Sequence, residues 1–127
     1  MNLNLEELLA RYLMQRNHIR TQDGTVKPGA FLPPPDKNTS VFRIKELQED
    51  EIWRIGEISV AQPQGKSLIG RADVTVAGVN EVGLQINPDD NPPRHANITG
   101  WPCAKHEQKM LAQELAIRAT LALRCQD

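Results

Sequence analysis

The chain is poor in aromatic residues: two Trp, one Tyr and two Phe among 127 positions. With so few rings, basic residues such as Arg11, Arg16 and Arg20 have no stacking platform to interleave with, and single-stranded nucleic acid is excluded as a favoured ligand. Charge of one sign is also missing. Fifteen Lys and Arg face sixteen Asp and Glu, a net charge of −1, which disfavours a strongly basic nucleic-acid binder or an acidic tail protein. No apolar run approaches the ~20 residues of a membrane span. The first residues carry Glu6 and Glu7 and no basic cluster, unlike a secretory signal. There are only two cysteines, Cys103 and Cys125, and with no export signal they point to a reducing cytoplasm. If one helix spans both, about 33 Å separates them, too far for a disulfide. Proline is plentiful by contrast, with nine residues. The length suits a single domain, residues 1–127, with one hydrophobic core.

Leu5, Leu8, Leu9, Tyr12 and Leu13 follow helical spacing, with Asn4 placed as a cap and Glu7 three positions on, so an N-terminal helix is expected, fading at Gln15. Residues 16–39 form a proline-rich arm or loop. Asp23-Gly24 marks a short hairpin, and Phe31-Leu32 followed by Pro33-Pro34-Pro35 makes a pre-extended anchor. Such an anchor suits gripping a second copy, and a homodimer through Phe31 is expected; the alternative is an arm folded back over Leu9 and Tyr12. Val41–Ile44 reads as a strand, and Leu47–Gly56 as a helix with acids at its start and a glycine stop. Residues 68–76 and 82–87 alternate and read as a hairpin turning at 77–81. His95–Ile98 is a further short strand. A long C-terminal helix should open at Trp101-Pro102-Cys103 and run to about Leu123, with Leu111, Leu115, Ala119 and Ala122 as its stripe. The expected class is α+β: a mainly antiparallel sheet of three to five strands, packed by an N-terminal and a long C-terminal helix.

Three groupings carry possible chemistry. His95 titrates near neutrality in its unperturbed form and suits acid–base work; Arg43 and Arg71 suit gripping a carboxylate or phosphate; Asp73 shares a strand face with Arg71. Cys103, at the positive end of the expected helix, is the candidate reactive thiol, faster than Cys125, with His106 three positions on. Asp89-Asp90-Asn91 resembles a calcium loop only in part, since Arg94 and Gly100 stand where Gly and Glu are required. No metal and no cofactor is expected. Gly65-Lys66-Ser67 lacks the earlier glycine of a phosphate-binding loop and leads into a strand.

The blocks Ser40-Val41-Phe42-Arg43, Gly70-Arg71-Ala72-Asp73, Gly83-Leu84 and His95-Ala96-Asn97-Ile98-Thr99-Gly100-Trp101-Pro102 occur in a recognisable order. Over roughly residues 31–111 the chain resembles small uncharacterised bacterial proteins of the mobile gene-cassette and hypothetical open-reading-frame kind, some of them near defence or toxin genes. That family brings no assigned activity. What the resemblance implies is that Arg43, Arg71, Asp73, His95 and Trp101 are its most recognisable side chains, with Trp101 and Arg43 as binding candidates. Two functions stay open: a non-catalytic ligand- or partner-binding module, and a small hydrolase or transferase for a phosphorylated or nucleotide-like ligand, with His95 as acid/base and Arg43 and Arg71 as anion grips. Convergence of Arg43, Arg71 and His95 on one cleft favours the second; scatter favours the first.

Overall fold

Every strand pairing in the computed structural model, which describes residues 3–124, is antiparallel. β1 (Leu8–Leu13) is followed by the two-residue strands β2 (Ile19–Arg20) and β3 (Thr25–Val26), then β4 (Thr39–Arg43), α1 (Glu49–Ile55), a π-helical segment (Gly56–Ala61) and the closing turn α2 (Gln62–Gln64). β5 (Gly70–Thr75), α3 (Val76–Glu81), β6 (Gln85–Pro88), β7 (His95–Thr99), α4 (Lys105–Arg118) and β8 (Thr120–Leu123) complete the chain. One sheet has six strands in the order β6-β7-β4-β1-β5-β8, and a second has two, β2-β3. The class is α+β with a long C-terminal helix, but the main sheet exceeds the three to five strands expected, and among the described residues there is no N-terminal helix.

The N-terminal helix fails because a short apolar run has two readings. β1 lies at the sheet centre between β4 and β5. Leu9 and Leu13 enter one core while Ala10 and Tyr12 enter the other. A strand covered on both faces shows a nearly continuous apolar run, which periodicity alone does not separate from a buried helix. Asn4 does cap, but it caps a turn: its Oδ1 accepts from the Glu6 N–H at 2.9 Å, and its carbonyl from Glu7 N–H at 3.0 Å.

The expected hairpin of residues 68–87 is also corrected. α3 separates β5 from β6, with Thr75 Oγ1 accepting from Gly78 N–H at 3.0 Å as its cap. β5 and β6 then lie in opposite halves of the sheet. At the C-terminus the helix starts at Lys105, two positions beyond Cys103, and stops at Arg118. Leu121 and Ala122 are good helix formers, yet they pair with Ala72 and Arg71; tertiary pairing overrides propensity here. Gly70 permits the approach, since a Cβ there would lie 2.9 Å from the Ala122 carbonyl oxygen.

Two cores flank the sheet. The larger gathers Leu9, Val41, Val74, Ile98, Trp101 and Leu115 beneath α4 and takes in Ala30 and Phe31. The smaller packs Tyr12, Phe42, Ile44 and Leu68 against Ile52 and Ala61 of the 49–64 helical rod. That rod does not stop at Gly56, which is fully helical at φ −61° and ψ −42°. A Cβ on Gly56 would lie 2.6 Å from the Tyr12 ring, so the glycine serves close packing. The Tyr12 hydroxyl donates to the Ile52 carbonyl at 2.5 Å, competing for an acceptor of the helical ladder beside the widened turn. Gly65, at φ +65°, ends the rod.

On α4 the buried residues are Ala112, Leu115 and Ala116, whereas Met110 and Ile117 are mostly exposed. Leu115 is fully buried. Leu115→Ala is expected to cost about 2–5 kcal/mol in a urea titration; a loss below about 0.5 kcal/mol would place the side chain outside the core. No described helix is long and apolar enough to cross a membrane.

Candidate functional site

Strand register decides which candidate side chains can meet, because residues directly opposite share a face. Arg71 lies opposite Tyr12, Phe42 opposite both Ala10 and His95, and Asp73 opposite Ala10. Arg71, Asp73 and His95 therefore share the face of the smaller core. Arg43 lies opposite Leu9 and belongs to the other face. The three residues whose convergence would favour the enzyme reading therefore do not all share one face.

Each arginine already holds carboxylates. Arg43 Nε donates to Glu7 Oε1 at 2.6 Å and its Nη2 to Oε2 at 3.3 Å. The bond to Glu7 is the leading cause that raises the Arg43 pKa. Arg71 is buried and lies between two acids. Its Nε contacts both Asp73 oxygens at 3.1 Å, and Nη1 and Nη2 make a fork with Glu49 at 3.0 and 2.9 Å. Its Cζ stands 4.6 Å from the Trp53 ring centroid, a cation–π arrangement. Burial raises the Asp73 pKa, and the Arg71 charge partly offsets it. The Arg71 hydrogen bond lowers that of the exposed Glu49. Sequence spacing gives the Arg71–Asp73 pair; Glu49 and Trp53, brought in by α1, carry no such signal.

This cluster forms one wall of a cleft of about 530 Å³. Leu8, Ile44, Leu47 and Ile52 supply its apolar surface, and Glu6, Glu7, Glu46, Glu49 and Asp73 outnumber Lys45 and Arg71 around it. Glu46 holds φ +65°, a left-handed conformation that costs a non-glycine residue of order 1 kcal/mol. Chain reversal after β4 thus places this acid at the cleft under strain.

A second array runs diagonally across the same face. Ser40 Oγ lies 2.6 Å from His95 Nε2, and His95 Nδ1 lies 2.7 Å from Asp89 Oδ1. Phe42 meets the His95 ring edge-on, with centroids 5.2 Å apart. Ser40 and His95 are half-buried, and Asp89 is exposed. Bonds from His95 and from the Asn91 N–H lower the Asp89 pKa. The hairpin that aims Asp89 turns through Asp90 at φ +52° and Arg94 at φ +73°, and the Asp89 and Asp90 N–H groups both donate to the His95 carbonyl. Sequence reading found His95 but missed its partners. Asp89, six positions earlier across a tight turn, was available as a signal; Ser40, reached only through the β4–β7 register, was not.

Trp101 is buried in the larger core and its Nε1 donates to the Ile98 carbonyl at 3.0 Å. Cys103 is exposed, precedes α4, and accepts from Lys37 Nζ at 2.9 Å; no bond joins it to His106. Cys125 lies outside the described residues. Among the described residues no group of three or more His, Cys, Asp or Glu is arranged to hold a metal ion. No protein-family model, curated protein or solved structure matches the chain.

Proposed function

We propose that the protein is a ligand- or partner-binding module whose cleft receives a positively charged group on an apolar stem, such as the side chain of a lysine or arginine of a partner. The carrying observation is the cleft itself: an aliphatic floor ringed by five carboxylates and two cations. Arg71 is engaged by Glu49 and Asp73 and Glu7 by Arg43, so the excess negative charge falls to Glu6 and Glu46, set against Lys45. A small anion, expected when Arg43 and Arg71 were read as grips, meets repulsion here. An alkylammonium ion gains both from burying methylenes and from the acidic rim. Partnering with a second copy remains part of this reading only through other surfaces, because Phe31 is wholly buried within its own protomer.

The test is a titration of isotope-labelled protein with 1,6-diaminohexane, with hexanoate as the control of opposite charge. Shifts should concentrate at Leu8, Ile44, Leu47 and Ile52. Exposed ion pairs contribute about 0.2–1 kcal/mol each, so Glu6→Gln/Glu46→Gln should weaken binding by roughly 2- to 30-fold. Equal or stronger binding of hexanoate, or shifts elsewhere, would refute the reading.

A further inference from the structure

The Ser40–His95–Asp89 array lies outside the cleft and is not used by it. Its geometry matches the requirements for nucleophilic catalysis: a hydroxyl within hydrogen-bond reach of a base, and the base oriented by a third group. The polarity is also right. Asp89 as a carboxylate is acceptor-only, so in neutral His95 the Nδ1 carries the proton and Nε2 presents its lone pair to the Ser40 hydroxyl. Ser40 is held from behind as well. The β1–β4 pairing covers Leu9↔Arg43 and Ala10↔Phe42, and near its end Arg11 Nη1 donates to the Ser40 carbonyl at 2.9 Å. Arg11 Nε binds the Ala30 carbonyl at 2.8 Å, tying this point of β4 to the arm.

We propose that Ser40 is a nucleophile toward small uncharged carboxylic esters, with His95 as its base and Asp89 as the residue that positions His95. Phe42, buried and edge-on to the imidazole, backs the His95 ring from the core side, and the Asp89 carboxylate repels anionic substrates. Ser40 Oγ attacks the ester carbonyl carbon as its proton passes to His95 Nε2, and the C=O π pair moves onto oxygen. Collapse of the tetrahedral adduct breaks the C–O bond, and the departing alkoxide takes the proton from Nε2. Water, giving a proton to Nε2, then attacks the acyl-serine. The acid leaves and Ser40 recovers its proton, so ester and water yield acid and alcohol.

The experiment uses a fluorophosphonate probe and p-nitrophenyl acetate on the full chain carrying Cys103→Ser and Cys125→Ser, so that thiols do not turn over the ester. Intact and peptide mass spectrometry should place the phosphonyl label on Ser40. Ser40→Ala should abolish labelling, and His95→Gln should slow it by at least about 100-fold. Asp89→Asn should lower kcat with KM little changed, and Asp89→Glu should recover part of the loss. Ser40→Ala removes one hydroxyl from an otherwise intact strand and decides the matter alone if a histidine variant does not fold. Absence of label on folded protein, label on another residue, or hydrolysis unaffected by Ser40→Ala would each overturn the proposal. None of these outcomes bears on the cleft, whose test is separate.

Discussion

Arg71→Met is expected to lose about 3–5 kcal/mol of stability at neutral pH, the range for breaking a buried ion pair by removing one partner. The substitution keeps an unbranched stem against Trp53 but removes the charge facing Asp73, whose side chain is 10% exposed. The pH dependence has a definite sign. Burial already raises the Asp73 pKa, and without Arg71 it rises further. A carboxyl with a raised folded-state pKa holds its proton more readily folded than unfolded. Its contribution is therefore most favourable at acidic pH and is lost as pH rises through the folded value. The Arg71→Met deficit should be greatest at neutral pH and shrink on acidification. Glu49 changes the deficit in the same direction, because Arg71 lowers its pKa and that stabilisation, present at neutral pH, is lost on acidification. Its side chain is 70% exposed, so solvent screening keeps that effect small. Arg71→Met/Asp73→Asn should recover most of the loss, since no buried charge is then left unpaired. Urea titrations at several pH values measure both; a pH-independent deficit that the double variant does not recover would show that Arg71 acts through packing alone.

Phe31→Ala should cost about 3–5 kcal/mol, the usual range for deleting a buried phenylalanine ring. Phe31 has 0% exposure. Its carbonyl accepts from Thr39 Oγ1 at 3.1 Å, and the neighbouring Ala30 carbonyl accepts from Arg11. The arm is thus bonded through two successive carbonyls to the sheet it covers. The sequence-based expectation assigned the same ring to a dimer contact, and the two roles separate cleanly by experiment. Light scattering of folded Phe31→Ala should give the wild-type mass, with the change confined to the denaturation midpoint. A halved mass with an unaltered midpoint would restore the intermolecular role.

Where local chemistry governs, the chain is legible. α1 was expected from its acidic start, and the Gln48–Glu51 capping box is present. The Asp23-Gly24 turn does join β2 to β3, with Ile19 opposite Val26. β4 (Thr39–Arg43) and β7 (His95–Thr99) overlap the strands expected at 41–44 and 95–98. What escaped depends on partners distant in sequence. The apolar run 8–13 becomes a strand because β4 and β5 flank it, and residues 120–123 become a strand because β5 has a free edge there. Gly56 reads as a stop until the Tyr12 ring is seen against it. The sites follow the same division. Arg71–Asp73 is visible at i, i+2, whereas Glu49, Trp53 and Ser40 join their clusters only through tertiary placement.

The central position of β1 has a kinetic consequence. Leu8 meets Thr75 and Leu13 meets Gly70, so the spine of the sheet cannot close until strands far along the chain are available. During synthesis at ~5–20 residues per second, about 60 residues correspond to roughly 3–12 s. Through about the first half of that interval a strand with apolar side chains on both faces has neither neighbour, and through the rest it has only β4. Non-local closures of this kind put antiparallel sheets among the slower small domains, with folding times of milliseconds to seconds. On the ribosome, segment 8–13 is therefore the stretch that a holdase would have most reason to cover, and its release would be timed by the emergence of β5.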